Sequence, residues 1–106
     1  MRDLKFKMSQ PQKGEKLVRI YLGGDLGVNN LPDFMPKLKN VEKDFSEFEI
    51  NLNDVDTMDL ATLQVLVSFK KSCERHKKEV KFKLDLPKEI SDLFDIAGFT
   101  KILKQL

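Results

Sequence analysis

Tryptophan is absent from the 106 residues, and cysteine and histidine occur once each, as Cys73 and His76. A lone cysteine rules out an internal disulfide and suits a reducing compartment. Cys73 and His76 sit one helical turn apart, but two ligands without others make no metal or catalytic centre. Serine nucleophile elbows, phosphate-cradling glycine loops and dinucleotide turns are missing, so no catalytic residue, cofactor or metal is expected. No stretch approaches the ~18 apolar residues of a membrane span, and no apolar run follows the first charges as in a signal peptide. Charge of one sign is lacking too: 34% of residues are charged, yet the formal net charge is +2. That balance argues against a dedicated nucleic-acid binder. The expectation is a soluble, cytoplasmic protein with one compact domain over residues 1–106.

What is present is periodicity. Leu4, Phe6 and Met8 alternate with lysines, a strand with one wet face. After a polar turn holding Pro11 and Gly14, Leu17 to Leu22 gives a second strand, and the short link predicts an antiparallel hairpin. Leu31, Phe34, Met35, Leu38 and Val41 share one helical face, with Asn30 as the expected N-cap and Pro32 in the first turn. Pro36, one turn on, is expected to kink or delay that helix. Phe48 to Asn53 is a third strand, Leu60 to about His76 a second helix, and Val80, Phe82 and Leu84 a fourth strand. Pro87 opens a third helix with Ile90, Leu93, Phe94 and Ala97 inward, closed at Gly98. Phe99 to Leu103 is expected to add a short strand or turn. The order β-β-α-β-α-β-α, with right-handed crossovers, implies an α/β fold. Its sheet is mixed and four- to five-stranded, with helices mainly on one face.

The most informative segment is Glu49 to Asp59 with the helix behind it. The apolar period changes from two to that of a helix at Asp59, whose carboxylate can cap the first turn. In open α/β sheets, ligands and partners dock outside the carboxyl ends of the strands. Carboxylates at Asp25, Asp54, Asp56 and Asp59 could meet there, but their spacing does not match a calcium loop, so a solvated acidic rim is the expectation. Lys70, Lys71, Arg75, Lys77, Lys78, Lys81 and Lys83 form a basic run, and cations near a helix C-terminus oppose its dipole. Acids from Glu42 to Asp59 and bases from Lys70 to Lys83 are expected at opposite ends of the fold.

Three segments resemble the STAS domain of anti-sigma factor antagonists and of sulfate-transporter tails. Gly24-Asp25-Leu26 resembles the family's Gly-Glu-Leu-Asp turn. Val55-Asp56-Thr57-Met58-Asp59 with Leu63 and Val65-Leu66 resembles its signature strand, junction and helix. Pro87, Ile90, Leu93-Phe94, Gly98-Phe99 and Ile102 resemble its C-terminal pattern. The likeness runs from about Leu17 to Leu103.

The resemblance implies a non-catalytic bacterial regulatory module that binds a protein. It also implies a departure, since Leu60 stands at the phosphoacceptor position that phosphorylated members fill with serine. Ala61 stands where a second serine is usual, Thr62 where glycine is usual, and Gly27 where the turn has aspartate. Charging a residue beside Asp56 and Asp59 would repel an acidic partner or break an apolar contact, and leucine cannot be charged. The expected contact surface is Asp25, Asn29, Asn30, Asp56, Met58, Asp59, Leu60, Ala61 and Thr62, with Val28 adding apolar area. Two readings stand beside it: Leu60 as core, and Thr62 as a displaced phosphoacceptor. The implied partner is a kinase-like anti-sigma factor or other signalling protein. The alternative is the ATPase of a lipid-transporting ABC complex, with this chain as its cytoplasmic STAS subunit. Oligomerisation is compatible with either.

Overall fold

The alternating runs form four strands of one sheet, in the computed structural model that describes residues 3–106. The strands are β1 (Leu4–Ser9), β2 (Leu17–Leu26), β3 (Glu47–Met58) and β4 (Glu79–Leu84), in the order β1-β2-β3-β4. β1 and β2 are the expected antiparallel hairpin, and β2, β3 and β4 are parallel. Helices α1 (Leu31–Asp44) and α2 (Leu60–Arg75) connect the parallel strands, and α3 (Lys88–Ile96) and α4 (Thr100–Leu103) follow β4. The fold is the mixed α/β sheet that the sequence implies, with four strands.

Register places Leu22, Ile20 and Val18 of β2 on the same face as Leu52, Ile50 and Phe48 of β3. All six are buried, and with Phe34 and Leu38 of α1, Leu63 and Leu66 of α2, and Ile90 and Phe94 of α3 they form one core. Each such side chain taken from water stabilises the fold by roughly 1.5–3 kcal/mol. The opposite face is polar, with Lys7, Tyr21, Asn51 and Lys83 in one row across all four strands.

Several elements depart from expectation. β3 runs on to Met58 because two bulges keep it paired: Leu52 faces Leu22 and Val55 faces Gly24, so Asn53 and Asp54 together oppose Gly23. The bulge turns Val55 into the core, which strict alternation from Leu52 would not do. Asp54 takes φ 52° there, a left-handed conformation that Asp tolerates better than most residues. The β3 backbone approaches so closely that a Cβ on Gly23 would collide with the Asn53 carbonyl.

Asn30 does not cap α1 with its side chain; a 3-10 turn at Val28–Asn30 leads directly into the helix. Nor does Pro36 delay that helix, which is continuous across it. In α3, Ile90 and Phe94 are inward, but Leu93 is 64% exposed and Ile96 84%, and Ala97 is exposed as well. Nine residues on a short helix present too narrow a buried stripe for all four expected positions. Gly98 ends it as expected, at φ 81°: its N–H donates to Asp95 and the Phe99 N–H to Phe94, the pattern that satisfies terminal carbonyls. The tail is the helix α4 rather than a strand. Among the described residues no helix is long and apolar enough to cross a membrane.

Candidate partner-binding surface

α2 starts where β3 stops, and Asp59 makes the change. Its Oδ1 accepts the Thr62 N–H at 3.1 Å, satisfying an amide that has no partner inside the first turn. Its Oδ2 accepts the Val28 N–H at 2.7 Å. One carboxylate thus caps α2 and ties it to the β2–α1 loop. Asp25 performs the matching task from the other side. Its Oδ1 accepts the Gly27 N–H at 2.9 Å and the Thr57 hydroxyl at 2.6 Å, while the Asn30 side-chain amide donates to its carbonyl at 2.8 Å. Hydrogen bonds to carboxylates are the stronger kind, so these contacts hold the loop and the junction as one unit. Gly27 fits between the two acids, where a Cβ would lie 3.0 Å from Asp25 Oδ1 and 3.6 Å from Asp59 Oδ2.

The structure therefore brings together the loop and junction residues named from the sequence, and sorts them into two roles. Asp25, Asn30 and Asp59 spend their polar groups on internal hydrogen bonds. Thr62 is fully buried and its hydroxyl donates to the Leu26 carbonyl; it offers no surface and no free phosphoacceptor, which corrects its place among the contact residues. The helical step that turns Thr62 away from position 60 points it into the core. What faces outward is Val28, 54% exposed, with Asn29 and Asp56, and with Met58, Leu60 and Ala61 half-buried beside them. Met58 and Leu60 also pack against the core, so Leu60 serves both readings given for it. Val28 is the most exposed apolar side chain of this surface, and its signal in the sequence is a branched apolar residue inside a polar loop.

The other expected clusters do not assemble. Asp25 and Asp59 are already committed, and among the described residues no group of three or more His, Cys, Asp or Glu could hold a metal ion. The basic run is dispersed. Lys70 donates to the carbonyls of Gln105 (2.8 Å) and Leu106 (3.3 Å), Lys78 donates to the Glu42 carbonyl, and Lys81 and Lys83 lie on the open sheet face. The expected polarity fails with it, because Glu42, Asp44 and Glu47 end α1 and begin β3, at the opposite end of the fold from Asp56 and Asp59. His76 closes α2 with Nδ1 2.8 Å from the Ser72 carbonyl. Cys73 is buried, and burial, aided by the charge of Glu42, pushes its thiol up to about 11 against the opposing pull of Lys78.

Comparison with known proteins places the family and the fold. The family model described as "Mlab, STAS domain" matches residues 9–104. No curated protein matches the chain in sequence. Among solved structures, the chain is similar to the anti-sigma factor antagonist SpoIIAA in its unphosphorylated form. The identity there is 15% and the TM-score 0.67, over 92% of this chain and 84% of that one. It is similar also to the Bacillus cell fate determinant SpoIIAA in the phosphorylated form, at 14% identity and TM-score 0.61, covering 92% and 86%. A third, Mglu, matches at 15% identity and TM-score 0.55, over 77% of this chain and 22% of that one.

Proposed function

The chain belongs to the STAS-domain family, and we propose on that footing that it is a non-catalytic regulatory module, resembling an anti-sigma factor antagonist, that binds one protein partner. The observation that carries the reading is the construction of the junction. Two carboxylates lock the β2–α1 loop to the start of α2, and the locked unit presents Val28, with Met58 and Leu60 beside it, next to the exposed Asp56. A rigid apolar spot with a polar margin is the anatomy of a small protein interface. Both hydroxyls of the junction are engaged, Thr57 with Asp25 and Thr62 with Leu26. Binding here accordingly runs without a phosphorylation switch.

The partner in this reading is a kinase-like anti-sigma factor or related signalling protein of a bacterium. The second reading, a STAS subunit supporting the ATPase of a lipid-transporting ABC complex, uses the same surface, and the matching family model carries the Mlab description rather than the antagonist name. Co-purification of the tagged chain with candidate partners encoded nearby, one kinase-like and one ATPase, separates the two. Val28→Glu and Leu60→Asp are each expected to weaken the true pair at least tenfold, about 1.4 kcal/mol, with the fold retained by circular dichroism. Unchanged binding by both variants would refute this surface.

A further inference from the structure

Besides the junction, two apolar surfaces of the protein are left uncovered, and the charges beside them are of opposite sign. The first is a groove of about 580 Å³ between α1 and α2. Leu31, Met35, Ala61 and Val65 line its upper part, and Lys39, Glu42 and Arg75 its lower end. Lys39 and Arg75 are exposed and neither forms an ion pair among the described residues. Glu42 Oε1 is buried at that end without a hydrogen-bond partner.

The second surface is α3, where Leu93 and Ile96 are 64% and 84% exposed. Glu89, Leu93 and Ile96 follow at i, i+4 and i+7, so they form one stripe. Glu89 is exposed and unpaired among the described residues, whereas Asp92 beside the stripe pairs with Lys88 at 3.3 Å, and Asp95, on another side, accepts the Thr100 hydroxyl.

We propose that these surfaces meet between two copies of the chain, α3 of one lying in the α1–α2 groove of the next with Glu89 against Lys39 and Arg75. A helix suits such a groove. Both walls are helices whose interior N–H and C=O groups are already paired, so they offer an extended segment no backbone partners, whereas a helix brings its own backbone bonds. At the groove's lower end Lys39 and Arg75 outnumber Glu42, and this net positive charge sets the direction in which the helix lies. The proposed contact is made once between each copy and the next, so it is heterologous and adds copies head to tail. Reciprocal pairing of the same patches would instead close a two-fold dimer, which the test separates. A nine-residue helix covers less than a standard interface, which makes the association weak and dependent on concentration.

Sedimentation velocity of the whole chain over a wide concentration range tests this. The expected result is a reversible, open-ended rise in average mass. Ile96→Lys and Arg75→Glu should each weaken the association about tenfold, and Glu89→Lys combined with Arg75→Glu should recover part of it, Lys39 being unchanged. A chain monomeric at every concentration would overturn the proposal, and so would a closed dimer or an association indifferent to these variants. The groove variants leave Val28 and Leu60 intact, so the outcome does not depend on whether the junction binds a partner.

Discussion

At the scale of single residues, the sequence identifies side-chain chemistry better than side-chain direction. Asp59 reads as an N-cap from its place at the change of period, and it is one. Its second bond, to Val28 thirty-one residues earlier, has no signature, because nothing local reveals which loop lies beside a helix start. Thr62 is misread for a related reason: a polar residue in the first turn suggests solvent, yet this hydroxyl has the Leu26 carbonyl to satisfy it, so burial costs little. Cys73 is read correctly as a small buried residue on the apolar face. Its chemistry gives a prediction. The folded protein holds the thiol proton up to about 11, above the usual cysteine value of about 8.5. The stability this contributes is complete below the unfolded value and is lost as pH rises through the folded one. Alkylation of Cys73 should be negligible at neutral pH without denaturant. Chemical denaturation midpoints should decline between about pH 9 and 11 in wild type, and less in Cys73→Val. Rapid labelling of the native protein at neutral pH would contradict the buried placement.

At the scale of elements, the strands and the two crossover helices are legible because their faces are cleanly sorted. Val18, Ile20 and Leu22 alternate with Arg19 and Tyr21, and the structure pairs them as the pattern requires. The bulges in β3 are not legible. An extra residue at Asn53–Asp54 looks like the end of a strand, and the closeness that demands Gly23 exists only once the two backbones are side by side. Overreading of α3 has the opposite origin, since Leu93 and Ala97 fit a helical face that no neighbour covers. The central joint of the molecule is also an element-scale feature. Replacing Asp59 with Ala removes the cap of α2 and the tether to Val28 together. Loss of the cap alone costs about 1 kcal/mol, and the lost tether adds to it. The melting temperature should drop by about 4–8 °C for each kcal/mol lost. Asp59→Asn, which keeps an acceptor oxygen, should recover part of that. An unaltered melting temperature in Asp59→Ala would show that the joint contributes nothing.

At the scale of the whole molecule, charge is distributed by topology rather than by sequence blocks. Lys81 and Lys83, which follow the cations of α2 in the chain, stand across the sheet from them. Lys83 is instead bound to Glu49 at 3.4 Å. Burial works to raise the Glu49 carboxyl, but hydrogen bonds from Asn51 and Lys83 and the charges of Lys83 and Arg19 outweigh it and hold the group below the usual carboxylate range. The open sheet face around Tyr21 is thus polar, with Glu49 paired to Lys83 at its centre. The other side of the molecule, by contrast, keeps apolar area uncovered at Val28, along the α1–α2 groove and on α3. Exposed apolar area grouped in this way marks interaction surfaces. The proposed placement of binding on the helical side and the strand ends therefore rests on this uncovered apolar area, and the family likeness supplies only its neighbourhood.

Hydrogen exchange of the chain alone and in complex with its co-purifying partner tests that assignment most directly. The account predicts new protection in the amides of residues 27–30 and 56–61, with none gained on the sheet face around Tyr21, Asn51 and Lys83. Protection confined to that sheet face, with the junction unaltered, would contradict it.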